Sequence, residues 1–162
     1  MKTDTVLFAQ ALGRSSELAK HFAPASPSFL VWLKEHNLPE EIVAHFFDYS
    51  LVGDSCVEIG FANFWPEKYT RKWHDETPEY LAAGWLIVGS MQNGDFVVIN
   101  FGRDDGAVGY VSHEEIWDEP HHVRDDLESI YFRVCESFGQ FLDGLTRDEH
   151  PYDYFDAKEQ LG

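Results

Sequence analysis

The chain is poor in cysteine and in basic residues. Cys56 and Cys135 are its two cysteines among 162 residues, and they stand without CxxC spacing. That excludes a disulfide framework and a zinc finger, and leaves a reduced, cytosolic chain whose thiols act as small apolar side chains. Lys and Arg number 12 against 29 Asp and Glu, a formal net charge of −17. A surface so acidic repels a phosphate backbone and gains nothing from counterion release, so no direct nucleic-acid binding is expected. Nowhere do about 18 apolar residues follow one another, and Met1 to Ala11 carries one lysine and a short apolar run broken by Asp4 and Gln10. Neither a membrane span nor a leader is expected, and the chain reads as cytoplasmic. It also lacks an internal repeat, a nucleophile elbow, a P-loop and a dinucleotide fingerprint.

What is present is a core. Apolar residues make up 44% and aromatics 15% of the sequence, which excludes disorder, and the length suits one domain over residues 1–162. The first fifty residues have helical spacing. Val6, Leu7, Ala11, Leu18 and Phe22 share a 3.6 period interrupted at Gly13 and Ser15-Ser16. Ser26-Pro27 reads as an N-cap with proline at the first helical position, followed by Phe29, Leu30 and Leu33 on one face. Leu38-Pro39-Glu40-Glu41 opens a further helix, with acids in its first turn and Ile42, Val43, Phe46 and Phe47 as its inward stripe.

After Gly53 the period becomes two. Val57, Ile59 and Phe61 alternate with polar or small residues, which predicts a strand with one wet face. Pro66 to Glu76 reads as polar and irregular, and Thr77-Pro78-Glu79 starts one helical turn closed by Gly84. Trp85–Met91 and Phe96–Phe101 are β-rich runs joined by Gln92-Asn93-Gly94-Asp95, a hairpin in which Asn93 and Gly94 are expected to take positive φ. Ala107–Val111 supplies a third strand. Periodicity does not decide between helix and strand over Leu127–Leu145; composition favours a strand to about Val134 and then a helix capped near Glu136-Ser137. The acidic, aromatic tail 146–162 either packs as a short helix or stays loose.

The order of these segments resembles a family. Leu38-Pro39-Glu40-Glu41-Ile42 on an early helix, Trp85-Leu86-Ile87-Val88-Gly89-Ser90 running into Gly94-Asp95, the Gly109-Tyr110-Val111 strand and the late Ser137-Phe138-x-x-Phe141-Leu142-x-x-Leu145 helix are similar to the SUKH superfamily, which includes the yeast cell-wall assembly regulator and many bacterial immunity proteins. The likeness is strongest over residues 29–145. It implies an α+β domain with N-terminal helices, a central, mostly antiparallel meander sheet and a C-terminal helix, with a strand just before the Ser-Phe-x-x-Phe-Leu segment. It carries over no catalytic residue and no cofactor. Bacterial members bind a cognate toxin domain, often a nuclease, and block it; the eukaryotic members imply a regulatory scaffold as the alternative.

Charge alone supports the first role, because a nuclease presents a basic groove that steers an acidic partner to it. From Arg103 to Gly162 there are 16 Asp and Glu against five Lys and Arg, whereas the first 102 residues hold 13 and seven. The expected partner-binding residues are therefore Asp104, Asp105, His113, Glu114, Glu115, Asp118 and Glu119, with Trp117 as an aromatic anchor. The bland reading is an ordinary acidic surface with Trp117 turned inward.

His113-Glu114-Glu115-Ile116-Trp117 begins like the HExxH zinc motif but has Trp where the second His is needed. His121-His122 with Asp118 or Glu119 could complete a nitrogen and oxygen site, which makes a metal enzyme the third reading; the expectation is no metal and no catalysis. Gly94-Asp95 is read as turn chemistry, and Lys68–Trp73 as a surface loop whose Trp65 and Trp73 pack on the core instead of stacking on bases. The expected oligomeric state is monomer or homodimer, since an exposed edge strand can pair with a second copy.

Overall fold

A computed structural model describes residues 2–119 and 122–162, with Asp118, Glu119 and His122 by backbone alone. Four helices come first: α1 (Thr5–Leu12), α2 (Ser16–Ala19), α3 (Pro27–Glu35) and α4 (Glu40–Asp48). There follow β1 (Val57–Ile59), β2 (Ala62–Phe64), α5 (Glu67–Glu76), α6 (Glu79–Ala82), β3 (Trp85–Met91), β4 (Phe96–Asn100), β5 (Ala107–Val111), β6 (Trp117–Glu119) and β7 (His122–Val123). A 3-10 turn (Leu127–Ile130), β8 (Tyr131–Cys135), α7 (Phe138–Thr146) and α8 (Tyr154–Leu161) complete the chain. The main sheet is antiparallel throughout, in the order β1-β2-β3-β4-β5-β8, and β6 and β7 form a separate two-stranded ribbon. The fold is α+β.

Local chemistry accounts for the helix ends. Ser15 accepts from the Leu18 amide and starts α2, and Ser137 accepts from the Gln140 amide and starts α7. Between α3 and α4, Asn37 takes φ +59°, while its amide reaches the Lys34 carbonyl and the Leu38 amide reaches the Leu33 carbonyl. These two hydrogen bonds close α3 and turn Leu38 into the core. Ser26 behaves otherwise. It makes no side-chain cap; its Oγ donates to Glu67 Oε1 at 2.5 Å and its amide to Glu67 Oε2 at 3.1 Å, tying α3 to α5.

Three expectations are corrected. The segment 66–76 is mostly helix, not irregular: polar residues on α5 face solvent while Thr70 and His74 alone are fully buried, so no apolar period marked it. The hairpin turn has positive φ only at Gly94 (+96°), because the Gly94 amide bonds the Met91 carbonyl and the Met91 amide the Asp95 carbonyl, a three-residue loop with a terminal left-handed glycine. Phe47 points outward, 58% exposed, and His45 takes its place in the α4 inward stripe with Ile42. The ambiguous stretch resolves as composition favoured, with β8 followed by α7, and the tail contains α8.

Both faces of the sheet are covered. Leu86, Val88, Val97, Ile99, Val108 and Tyr110 pack under α1, α3, α4, α7 and α8, while Trp85, Ile87, Phe96, Val98 and Val111 pack with Trp65, Tyr80, Ile116, Leu127 and Ile130. β4 and β5 are consequently buried at every position. β2 pairs with β3 only from Gly89 to Met91, which leaves the first half of that edge without a strand. Buried backbone groups left open are costly, and α5 closes them. Thr70 Oγ1 donates to the Ile87 carbonyl at 3.1 Å, and the Ile87 amide donates to His74 Nε2 at 2.9 Å.

Accepting that bond keeps His74 neutral, and burial, aided by the nearby His36, pushes its pKa down to about 4. His45 lies among Phe8, Phe46 and Phe138, bonded through Nδ1 to Thr5 Oγ1 at 2.9 Å, and burial pushes it down to about 3. Unfolding frees both rings to protonate near 6.5, so the unfolded chain binds more protons below that pH. Stability is complete above about pH 7 and falls as pH drops from 6.5 toward 4, by about 2 kcal/mol per ring at pH 5. Urea unfolding at pH 7.5 and 5.0 will show a lower midpoint at the acid value; equal midpoints would contradict the burial of these rings.

Candidate partner-binding surface

β5 separates the expected site residues into two groups. Asp104 and Asp105 precede it, and His113 to Trp117 follow it, so the strand's five residues hold the groups about 17 Å apart. They do not form one patch.

The first group is largely neutralised. Asp104 accepts from the Tyr131 hydroxyl at 2.7 Å and lies 3.5 Å from Arg133 Nη1, and Lys2, Arg103 and Arg133 line the same shallow groove as the two aspartates. Asp105 takes φ +52° and its carbonyl accepts from the Lys2 amide.

In the second group His113 is held from below. Asp95, fully buried at the end of the hairpin, uses Oδ1 to accept from the His113 amide (3.1 Å) and ring Nδ1 (2.6 Å), and Oδ2 to accept from Asn93 Nδ2 (2.9 Å) and the Tyr154 amide (3.0 Å). Burial on its own raises the Asp95 pKa, but the hydrogen bonds from Asn93, His113 and Tyr154 outweigh it and hold the carboxyl below its ordinary value. Asp95 thus joins the hairpin, the segment after β5 and the start of α8. The turn reading of Asp95 accounts for its bond to Asn93 but not for this junction, since nothing in the sequence links position 95 to position 154.

Beyond His113 the chain opens outward. Glu114 and Glu115 are exposed and pair with no cation among the described residues, Ile116 is buried, and Trp117 is 48% exposed on β6. The inward alternative for Trp117 is therefore not what the fold adopts. Arg124 secures the base of the ribbon, donating to the Glu115 carbonyl and, with two nitrogens, to Asp126. That pair, with burial opposing it, brings the Asp126 pKa down to about 2. The side chains of Asp118 and Glu119, and the whole of His121, lie outside the described residues.

The histidine and carboxylate pair Asp95–His113 has the form of an oriented base, yet among the described residues no hydroxyl or thiol is hydrogen-bonded to His113 Nε2. Neither cysteine is poised as a thiolate: burial pushes the Cys135 thiol up to about 12 and raises that of Cys56 as well. Residues 113–117 form turn and strand instead of helix, so the HExxH geometry does not arise, and among the described residues no three His, Cys, Asp or Glu are grouped to hold a metal ion. The His121-His122 alternative falls outside the described residues. Lys68–Trp73 is helical where a loop was expected; Trp73 and Tyr69 pack against Trp65, and Trp73 against Phe96, as expected of Trp65 and Trp73. No helix among the described residues is long and apolar enough to cross a membrane.

With this geometry in view, the chain was compared with known proteins. It matches no protein-family model and no curated protein. The reading of its function therefore rests on its own residues.

Asp95→Ala leaves four donors without their acceptor: Asn93 Nδ2, the amide and ring Nδ1 of half-buried His113, and the amide of buried Tyr154. We expect a loss of about 3 kcal/mol or more, with faster proteolysis between α7 and α8, measured by urea unfolding and timed digestion. Wild-type stability in that variant would contradict the junction.

Proposed function

We propose that this chain is a non-enzymatic binding protein of the immunity type, acting in the cytoplasm by covering the cationic surface of a cognate toxin domain. One observation carries the reading. Glu114 and Glu115 stand exposed with no cation beside them among the described residues, whereas His45 bonds Thr5, His74 bonds Ile87, Glu67 bonds Ser26 and Ser50, and Asp95 takes four donors inside the fold, the second nitrogen of His45 and of His74 being sealed in without a partner. A chain of net charge −17 arranged in this way has a field to steer a basic partner and an exposed Trp117 to anchor it. The likeness of its segment order to the SUKH superfamily supports the same role.

Co-expression tests it. In bacteria producing toxin domains from a panel one at a time, the chain will restore growth against its cognate toxin and co-purify with it in equal amounts. Failure to protect, or a turnover activity abolished by His113→Ala, would overturn the proposal. Reversing both charges in Glu114→Lys/Glu115→Lys will slow association by about tenfold at low salt and flatten its salt dependence, read by stopped-flow mixing. Unchanged rates at every ionic strength would remove the second group from the interface.

A further inference from the structure

We infer that the outward face of α4, with the end of α3, is a groove for a basic amphipathic helix of a protein partner. The inference rests on the reading of this chain as a binder of cationic protein, and it names the element that docks.

α4 is apolar on two sides. Ile42, His45 and Phe46 face the core, where Phe46 packs on Phe29 and Phe138. Away from the core, Glu40, Val43, Ala44 and Phe47 follow the i, i+3, i+4, i+7 spacing of a single stripe, with Val43 half-buried at its inner edge where it also packs on the core, Ala44 exposed and Phe47 58% exposed. They line an open groove of about 640 Å³ together with Lys34, Leu38 and Asp48. A helix with an apolar stripe on each side fits between two surfaces, and this chain provides one of them.

Charge identifies what the second surface carries. Asp48 is the last residue of α4, where the carbonyl ends make the helix terminus negative and disfavour an anion. It has no cation beside it among the described residues. A Lys or Arg from outside would satisfy both the carboxylate and the helix end. Glu40 stands at the other end of the stripe, exposed Glu35 and Glu41 flank it, and Lys34 is the one cation among the described lining residues. The groove therefore suits apolar side chains flanked by bases. A second copy fits poorly, because two-fold pairing of the stripe on itself brings Glu40 and Asp48 together. The nine residues of α4 span about 13 Å, enough for two to three turns of a docked helix.

The test titrates the isotope-labelled full chain with a synthetic 18-residue Leu/Lys helix and with a scrambled peptide of the same composition. The patterned peptide will bind about tenfold more tightly than the scrambled one, with NMR shift changes confined to residues 31–48. Phe47→Glu will weaken binding by about tenfold at unchanged Tm, and Asp48→Lys will weaken it by about threefold without lowering Tm. Equal affinity for both peptides overturns the inference. So do shift changes centred on Glu114–Trp117 with wild-type affinity in Phe47→Glu, a result that leaves the cationic-binder reading intact. A dimer dissolved by Phe47→Glu in sedimentation would place a second copy in the groove and also overturn it. Absence of binding to either peptide and to a folded basic protein at low salt would remove the inference and the binder reading together.

Discussion

A sheet buried on both faces has no water to satisfy its polar groups, and most of this molecule is arranged around that constraint. β4 and β5 bury every residue, so their backbone groups must find partners within the ladder. Where the ladder stops, side chains take over. Thr70 and His74 complete the edge of β3 at Ile87, and the Tyr110 hydroxyl, emerging from β5, donates to the Pro151 carbonyl at 2.7 Å and holds the approach to α8. Asp95 performs the corresponding task at the hairpin end, collecting donors from three separate stretches of chain. Burial in the same interior makes His45 and His74 neutral and links the fold's stability to pH.

On the proposed reading, function lies on the exterior. His45 and His74 are sealed in the core, each with one ring nitrogen unpartnered, and the buried Asp95 is taken up by four donors, while Glu114 and Glu115 are exposed. The distribution on the surface is uneven in kind as well as in sign. Around Asp104 the acids are matched by Lys2, Arg103 and Arg133; Glu114 and Glu115 have no cation beside them among the described residues, and along α4 the acids accompany an apolar stripe. In the proposed role, surfaces of the last two kinds would meet a basic partner, the first through long-range attraction and the second through burial of Phe47.

Much of the fold was legible in the sequence because the relevant physics is local. Ser15, Ser137 and Gly84 act where their chemistry suggests, and the β-rich runs around Gly94 do form a hairpin. What was not legible depended on tertiary context. α5 carries too few inward apolar residues to show a period, and its assignment follows from what Thr70 and His74 reach across 17 and 13 residues of sequence. Phe47 has the composition of a core residue, yet its position on α4 turns it to solvent. The site was legible only in part: Glu114 and Glu115 are exposed as expected, while the pairing of Asp104 with Arg133 and the capture of His113 by Asp95 arise from pairs distant in sequence.

The proposal that this chain works by covering a partner, without chemistry of its own, makes a stoichiometric claim. The most direct test titrates a fixed amount of the toxin domain found by co-expression with the purified chain and follows residual toxin activity. The account predicts a linear fall to zero at one equivalent, unchanged in His113→Ala. Complete inactivation by a small fraction of an equivalent, progressing with time, would contradict it.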